Sequence, residues 1–214
     1  LSGRPLLDEA VHEEGLRVMM YNLEDPLVDL YRGIDAAMRQ HDVKAKEFAD
    51  RLFMLSGRER KLCIAQQMQG GGVILTPDRD EMVKALRANK IDVHLVDPFI
   101  KCHSVTENDN TLMDQVMTIW NEIAEETNCA IILSHHFRKG GNGESQDAFR
   151  GAAAVVDASR AAIGLTKMSA QEADSLGVAK EERRFLIRVD HPKLCHAPPA
   201  EDRIWFRLNS VTIT

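Results

Sequence analysis

The feature that most constrains this chain is where its short apolar runs stop. Three of them give way at once to acidic or imidazole side chains. Leu16 to Leu23 is followed by Glu24-Asp25-Pro26, Ile91 to Val96 by Asp97-Pro98, and Cys129 to Leu133 by Ser134-His135-His136. Such runs read as buried strands, and the segments between them space their apolar residues three or four apart, as helices do when they lay one face on a sheet. The alternation points to βαβ units and a largely parallel α/β sheet with helices on both faces. In such a sheet the ligand crevice lies at the carboxyl ends of the strands, which is where these polar groups fall.

The same periodicity predicts the remaining elements. Pro26, with φ fixed and no N–H, suits the first turn of a helix over Leu27 to His41, with Asp25 as its N-cap. Arg51 to Leu55 and Leu62 to Gln67 read as short strands flanking Ser56-Gly57, a candidate hairpin. Asp78 to Asn89 is a helix entered through Thr76-Pro77. Between Glu107 and Glu126 a single apolar stripe (Leu112, Met113, Val116, Met117, Ile119, Trp120, Ile123, Ala124) runs through a segment with six acidic residues and no basic one, the clearest helix in the chain. Cys129 to Leu133 is expected to be a fully buried strand. Helix and strand patterns resume over Phe149 to Leu165, Ala170 to Leu176 is a solvated helix, and residues 185–214 form a β-rich end of what reads as a single domain over 1–214. There is no internal repeat and no low-complexity tract.

Composition bounds the function. With 27 Lys+Arg against 33 Asp+Glu the net charge is −6, which excludes a uniformly basic protein held to nucleic acid by charge and leaves only a local contact. Hydrophobic residues at 44% support a packed core. No apolar run approaches the ~18 residues of a membrane span, and the first residues lack the charged-then-apolar layout of a signal peptide. A soluble, intracellular protein is expected. The four cysteines, Cys63, Cys102, Cys129 and Cys195, show no Cys-x-x-Cys pair or zinc spacing and read as reduced structural residues.

Taken singly, each strand-end group has an ordinary structural use, since Asp25 can cap a helix and Asp97 precedes a turn proline. Together they match what a nucleotide hydrolase needs. Carboxylate oxygen at the end of a strand suits Mg²⁺, which keeps most of its own waters. A Glu on a neighbouring strand is placed to orient and deprotonate the attacking water. A His on a third can hydrogen-bond the γ-phosphate and report its loss to the adjacent loop. A metal-dependent hydrolase built on Asp97, His103, His135 and His136 is a weaker alternative, because those residues lack a regular ligand spacing.

An ordered series of segments carries a resemblance. It consists of Tyr21-Asn-Leu-Glu-Asp-Pro26, His94-Leu-Val-Asp-Pro98, Ile131-Ile-Leu-Ser-His-His-Phe-Arg-Lys-Gly140, Phe149-Arg-Gly-Ala-Ala-Ala-Val-Val-Asp-Ala-Ser-Arg160, and Arg188-Val-Asp-His-Pro-Lys193 before Trp205-Phe206-Arg207. The series resembles the RecA-like P-loop ATPases of the RepA-like hexameric replicative helicase group. The resemblance implies ATP and Mg²⁺ as cofactors. It implies Glu24 as catalytic carboxylate with Asp25 beside it, Asp97 as the Mg²⁺-associated acid, and Ser134 at the nucleotide. His136 becomes the γ-phosphate sensor supported by His135, and Arg160 an arginine finger reaching the neighbouring subunit's ATP. Arg150 anchors the preceding loop. Lys193 matches a basic position near the subunit interface, although the family's Asn after it is replaced by Cys195. In the resembled helicases the loop corresponding to 138–147 lines a channel for single-stranded DNA. Arg138 and Lys139 are then candidate phosphate contacts, and a plain surface loop fits the composition equally well. The implied partners are further copies of the chain in a ring, expected to be a hexamer, and single-stranded DNA, with no membrane. The implied setting is a bacterial, plasmid or phage-encoded cytoplasmic protein.

One part of the resembled machinery is absent from the sequence. No Gly-x-x-x-x-Gly-Lys-[Ser/Thr] occurs, and the glycine-rich stretches Gly70-Gly71-Gly72 and Gly140-Gly-Asn-Gly143 lack the Gly-Lys pair. Together with the opening Leu1, this leads to the expectation that a P-loop and its strand precede the chain in a longer native protein, leaving unpaired strand neighbours in the sheet. The competing expectation is a non-catalytic oligomerisation or DNA-binding module.

Overall fold

A computed structural model of the chain describes residues 1–7, 10–13, 15–136, 153–196 and 204–213. They fall into two compact units, Leu1–His136 with Val211–Thr214, and Phe137–Ser210.

In chain order the first unit runs β1 (Val18–Asn22), α1 (Leu27–His41), β2 (Leu52–Ser56), β3 (Ala65–Gln67), β4 (Val73–Leu75), α2 (Pro77–Ala88), β5 (Val93–Asp97), β6 (His103–Ser104), α3 (Asn110–Thr127) and β7 (Ala130–Leu133). Four of the strands form a sheet in the order β2-β1-β5-β7, and every pairing in it is parallel. The parallel α/β architecture expected from the strand and helix pattern is what forms.

Helix α3 supplies the largest apolar face. Asp109 caps it, its carboxylate accepting from the N–H groups of Thr111 and Leu112 at 2.9 and 3.1 Å. Its predicted stripe is buried from Leu112 to Ile123, with Ala124 partly exposed at its end, and the helix packs on α2, β4 and β7. Burying each large side chain of such a stripe contributes roughly 1.5–3 kcal/mol, which explains why a helix with so acidic an outer face holds its place. Asn128, left-handed at φ 51°, ends it.

Several local expectations need correction. Asp25 does not cap α1. The cap position is Pro26, which makes no side-chain cap hydrogen bond, and Asp25 belongs to the turn before it. Strands β2 and β3 form no hairpin, because β2 joins the parallel sheet beside β1 while β3 pairs antiparallel with β4 and parallel with β6 in a separate three-stranded sheet. Gly70, Gly71 and Gly72, with φ of 98°, 101° and 86°, turn the chain between β3 and β4, a conformation that side chains with a Cβ rarely adopt. Strand β7 is not fully buried, since it lies at the edge of the sheet and Ile132 is 49% exposed. Among the described residues β2 and β7 are the two edges of the sheet, each paired on one side. Strand β5 is hydrogen-bonded on both sides, to β1 and to β7.

The described part of the second unit comprises α4 (Ala153–Ala158), β8 (Ala161–Lys167), α5 (Ala170–Leu176), α6 (Lys180–Arg183), β9 (Leu186–Leu194) and β10 (Ile204–Arg207). Its strands make an antiparallel sheet ordered β10-β9-β8, with β9 and β10 inside the stretch read as β-rich and β8 in the strand pattern that precedes it. Helix α5 opens with a capping box between Ser169 and Glu172. Glu172 also pairs with the buried guanidinium of Arg188, whose Nε lies 3.0 Å from Asp190.

Candidate active site at the carboxyl ends of the strands

The parallel sheet brings the predicted strand ends level. Asn22 on β1 is in register with Asp97 on β5 and with Ser56 on β2, while Val96 pairs with Leu133 just before Ser134. Parallel strands lie about 4.8 Å apart, so acids placed 73 positions apart in the sequence, Glu24 and Asp97, emerge from adjacent strands at one rim.

The chain beyond β1 makes a tight turn fastened on both sides. The buried Asn22 accepts through Oδ1 from the N–H groups of Glu24 (2.9 Å) and Asp25 (2.7 Å), and its Nδ2 donates to the Asp97 carboxylate at 3.1 Å. The carbonyls of the same two turn residues accept from β2 and its end. Ser56 Oγ donates to Asp25 O at 2.6 Å, and Arg58 Nε donates to Glu24 O at 2.6 Å. Gly57 donates its N–H to Asn22 O at 2.8 Å, and a Cβ at Gly57 would meet Leu23 Cα at 2.7 Å, so only glycine lets β2 approach this closely. Held in this way, Glu24 and Asp25 are exposed to solvent, and Lys101 Nζ sits 3.0 Å from Glu24 Oε1.

The second strand end is tied to the first and third. Leu23 N–H donates to Asp97 O (2.6 Å), Ser134 N–H to Val96 O (2.9 Å), and Phe99 N–H to Ser134 O (2.6 Å). The Phe99 ring stands edge-on to His135 with centroids 5.8 Å apart, and His135 Nδ1 lies 3.8 Å from Glu107 Oε1. Burial lowers the His135 pKa, against the raising effect of Glu107. His136, the predicted sensor, is exposed beside it.

Asp25, Glu24, Asp97, Ser134, His135 and His136 thus belong to one rim of one unit. Arg160 and Lys193 belong to the second unit and are described within it. Arg160 is exposed between α4 and β8, its carbonyl accepting from Cys195 N–H, and Lys193 Nζ donates to the carbonyls of Val156 (3.2 Å) and Asp157 (2.5 Å) at the end of α4. Arg138, Lys139 and Arg150 lie outside the described residues. Among the described residues no three His, Cys, Asp or Glu side chains come together to hold a metal, so the alternative built on Asp97, His103, His135 and His136 has no support there. His103 instead packs its ring 4.8 Å from Phe99, and burial pushes its pKa down to about 4. Cys102 and Cys129 fit a structural role, as burial raises Cys102 to about 12 and Cys129 to about 11.

Sequence reasoning missed Asn22, Ser56, Arg58 and Lys101. Asn22 alone left a signal, because an Asn two residues before a turn commonly accepts from the backbone ahead of it. The other three act on Glu24 and Asp25 only because β2 and β5 flank β1.

A parallel sheet with a carboxylate beyond each of two adjacent strands and imidazoles beyond a third is the layout of a nucleotide-hydrolysing α/β protein. Residues 1–142 match the family model of the AAA domain, and the chain belongs to that family, a family of P-loop-type, nucleotide-binding ATPases. Among the described residues no helix is long and apolar enough to cross a membrane.

Proposed function

We propose that the protein is an ATP-dependent, Mg²⁺-dependent translocase or helicase of the RepA-like type, acting on single-stranded DNA as a ring of identical subunits in replication or recombination. The observation that carries the reading is the register of the strand ends, which sets Asp97 beside Asn22 and, through the Asn22 turn, beside Glu24. AAA family membership supports the ATPase part. The segments from Tyr21 to Arg207 that resemble the hexameric helicases support the DNA and ring parts.

The donor set suits the cation. Asp97 offers a carboxylate with one oxygen already engaged by Asn22, which suits a cation held largely through its own waters. Bound there, Mg²⁺ would supply charge neutralisation at the phosphates. Glu24, solvent-exposed and with its backbone fastened, accepts the proton of the water that attacks the terminal phosphate. Its pairing with Lys101 keeps a cation within reach of the carboxylate. His135 and His136, beyond the third strand end, would sense the terminal phosphate, and Arg160 would serve the site of the adjacent subunit.

In the full-length protein, Glu24→Gln and Asp97→Asn should each lower kcat for ATP by about 10²-fold or more, the usual loss when a positioned base is removed. Thermal melting should stay near wild type, since the Glu24 side chain is exposed and Asp97 is partly so. Unchanged hydrolysis in both variants would remove Glu24 and Asp97 from the reaction, and absence of hydrolysis in the wild type would overturn the reading in favour of a non-catalytic module.

A further inference from the structure

Asn22 stands out among the side chains at the rim because it is buried, at 4% exposure, and yet serves two structures at once. Its carbonyl oxygen holds the turn that bears Glu24, at 2.9 and 2.7 Å, and its amide nitrogen holds the Asp97 carboxylate, at 3.1 Å. No other described side chain is bonded both to the Glu24–Asp25 backbone and to Asp97.

We propose that Asn22 is a positioning residue that couples the two acids of the site, fixing the Asp97 carboxylate on one strand and the direction of Glu24 on the next through a single amide. The proposal rests on the ATPase reading above. Its chemistry is specific to the amide. A carboxylate of the same shape would keep both backbone contacts but turn an oxygen toward Asp97, and an alanine would release both sides. Hydrogen bonds to a charged group are worth more than neutral ones, so the Asp97 side of the coupling is the side whose loss should register most.

Ser56 and Arg58 hold the carbonyls of the same turn from β2 and would keep it close to its place when Asn22 is altered. The variants are therefore expected to fold and to differ in chemistry. Nucleotide affinity in the absence of Mg²⁺ should not change, because Asn22 points at the acids and lies beneath the rim.

The test compares Asn22→Ala and Asn22→Asp with wild type in the full-length protein. It uses steady-state ATP hydrolysis, and a separate readout in which a fluorescent ADP analogue is bound with and without Mg²⁺. Asn22→Ala should lower kcat about tenfold or more, the equivalent of one lost hydrogen bond to a charged group, with KM for ATP within about twofold. Asn22→Asp should lose the gain in ADP-analogue affinity that Mg²⁺ confers on wild type. Combining Asn22→Ala with Asp97→Asn should add little to the loss of Asp97→Asn alone, as expected for residues acting through one contact. Should Asn22→Ala not fold, Asn22→Ser takes its place, since a hydroxyl can still accept from the turn but does not span to Asp97.

A fall in melting temperature with kcat and the Mg²⁺-dependent affinity unchanged would make Asn22 merely structural and overturn the proposal. So would full additivity with Asp97→Asn. If Glu24→Gln and Asp97→Asn abolish hydrolysis while the Asn22 variants hydrolyse ATP at the wild-type rate, only the positioning role fails. If all of them leave hydrolysis intact, the assignment of Glu24 and Asp97 as the acids of the site fails with it.

Discussion

At the scale of single residues, two histidines show how burial sets a chemical state. His94 is wholly buried on β5 with Nδ1 3.1 Å from Met19 O, and His103 is buried against Phe99 with Nδ1 accepting from Val105 N–H. Burial pushes both pKa values down to about 4 from an ordinary 6.5. The unfolded chain therefore takes up protons at these positions between about pH 6.5 and 4 while the folded chain does not, so their contribution to stability is whole above pH 6.5 and is lost as pH falls toward 4. Each histidine should remove up to about 1.4 kcal/mol per pH unit in that window. Urea midpoints measured at pH 7.5, 6 and 5 test this, and the fall should be shallower in His103→Gln. A flat profile would mean that both rings take up protons in the fold as readily as in the unfolded chain. Neither effect could be read from the sequence, where His94 is one residue of an apolar run and His103 resembles a metal-ligand candidate.

At the scale of elements, the strand ends are held by contacts between segments far apart in the chain. Gly57, the first residue past β2, is the clearest case. The approach that a Cβ would block, at 2.7 Å from Leu23 Cα, is the one that lets Ser56 and Arg58 reach the Glu24 turn. Gly57→Ala should force the ends of β1 and β2 apart, costing about 1–3 kcal/mol as overpacking does. Because the turn moves with them, it should lower ATP hydrolysis by more than the loss of folded protein explains. Denaturant unfolding alongside kcat per folded molecule separates the two effects, and a stable, fully active variant would show that the turn does not depend on β2. Helices α1 and α3 were legible to within a few residues because each carries an apolar stripe of its own. The partners of β2 and β3 were not, because a short strand's own pattern does not say which neighbour it will hydrogen-bond.

At the scale of the whole molecule, the charge of −6 requires that any DNA contact be local, with Arg138 and Lys139 as its proposed cations. Binding of single-stranded DNA by the full-length protein should weaken with salt, with a log–log slope of about −0.7 for each phosphate engaged. Replacing both cations by alanine should make the slope shallower by about one to two phosphates. Salt-independent binding, or an unchanged slope in the double variant, would remove the loop from the DNA contact. By itself the sequence determined the parallel α/β class, the long α3 stripe and the acids and imidazoles that close three strands, because hydrophobic periodicity and chain punctuation are local properties of adjacent residues. Only the tertiary structure decided that β1 lies between β2 and β5, and with that order came the contacts of Asn22 with Asp97, Arg58 with Glu24 and Lys101 with Glu24. The reason is physical. Parallel pairing joins strands through long connections, so which strands become neighbours depends on how the helices pack, and no short stretch of sequence records it.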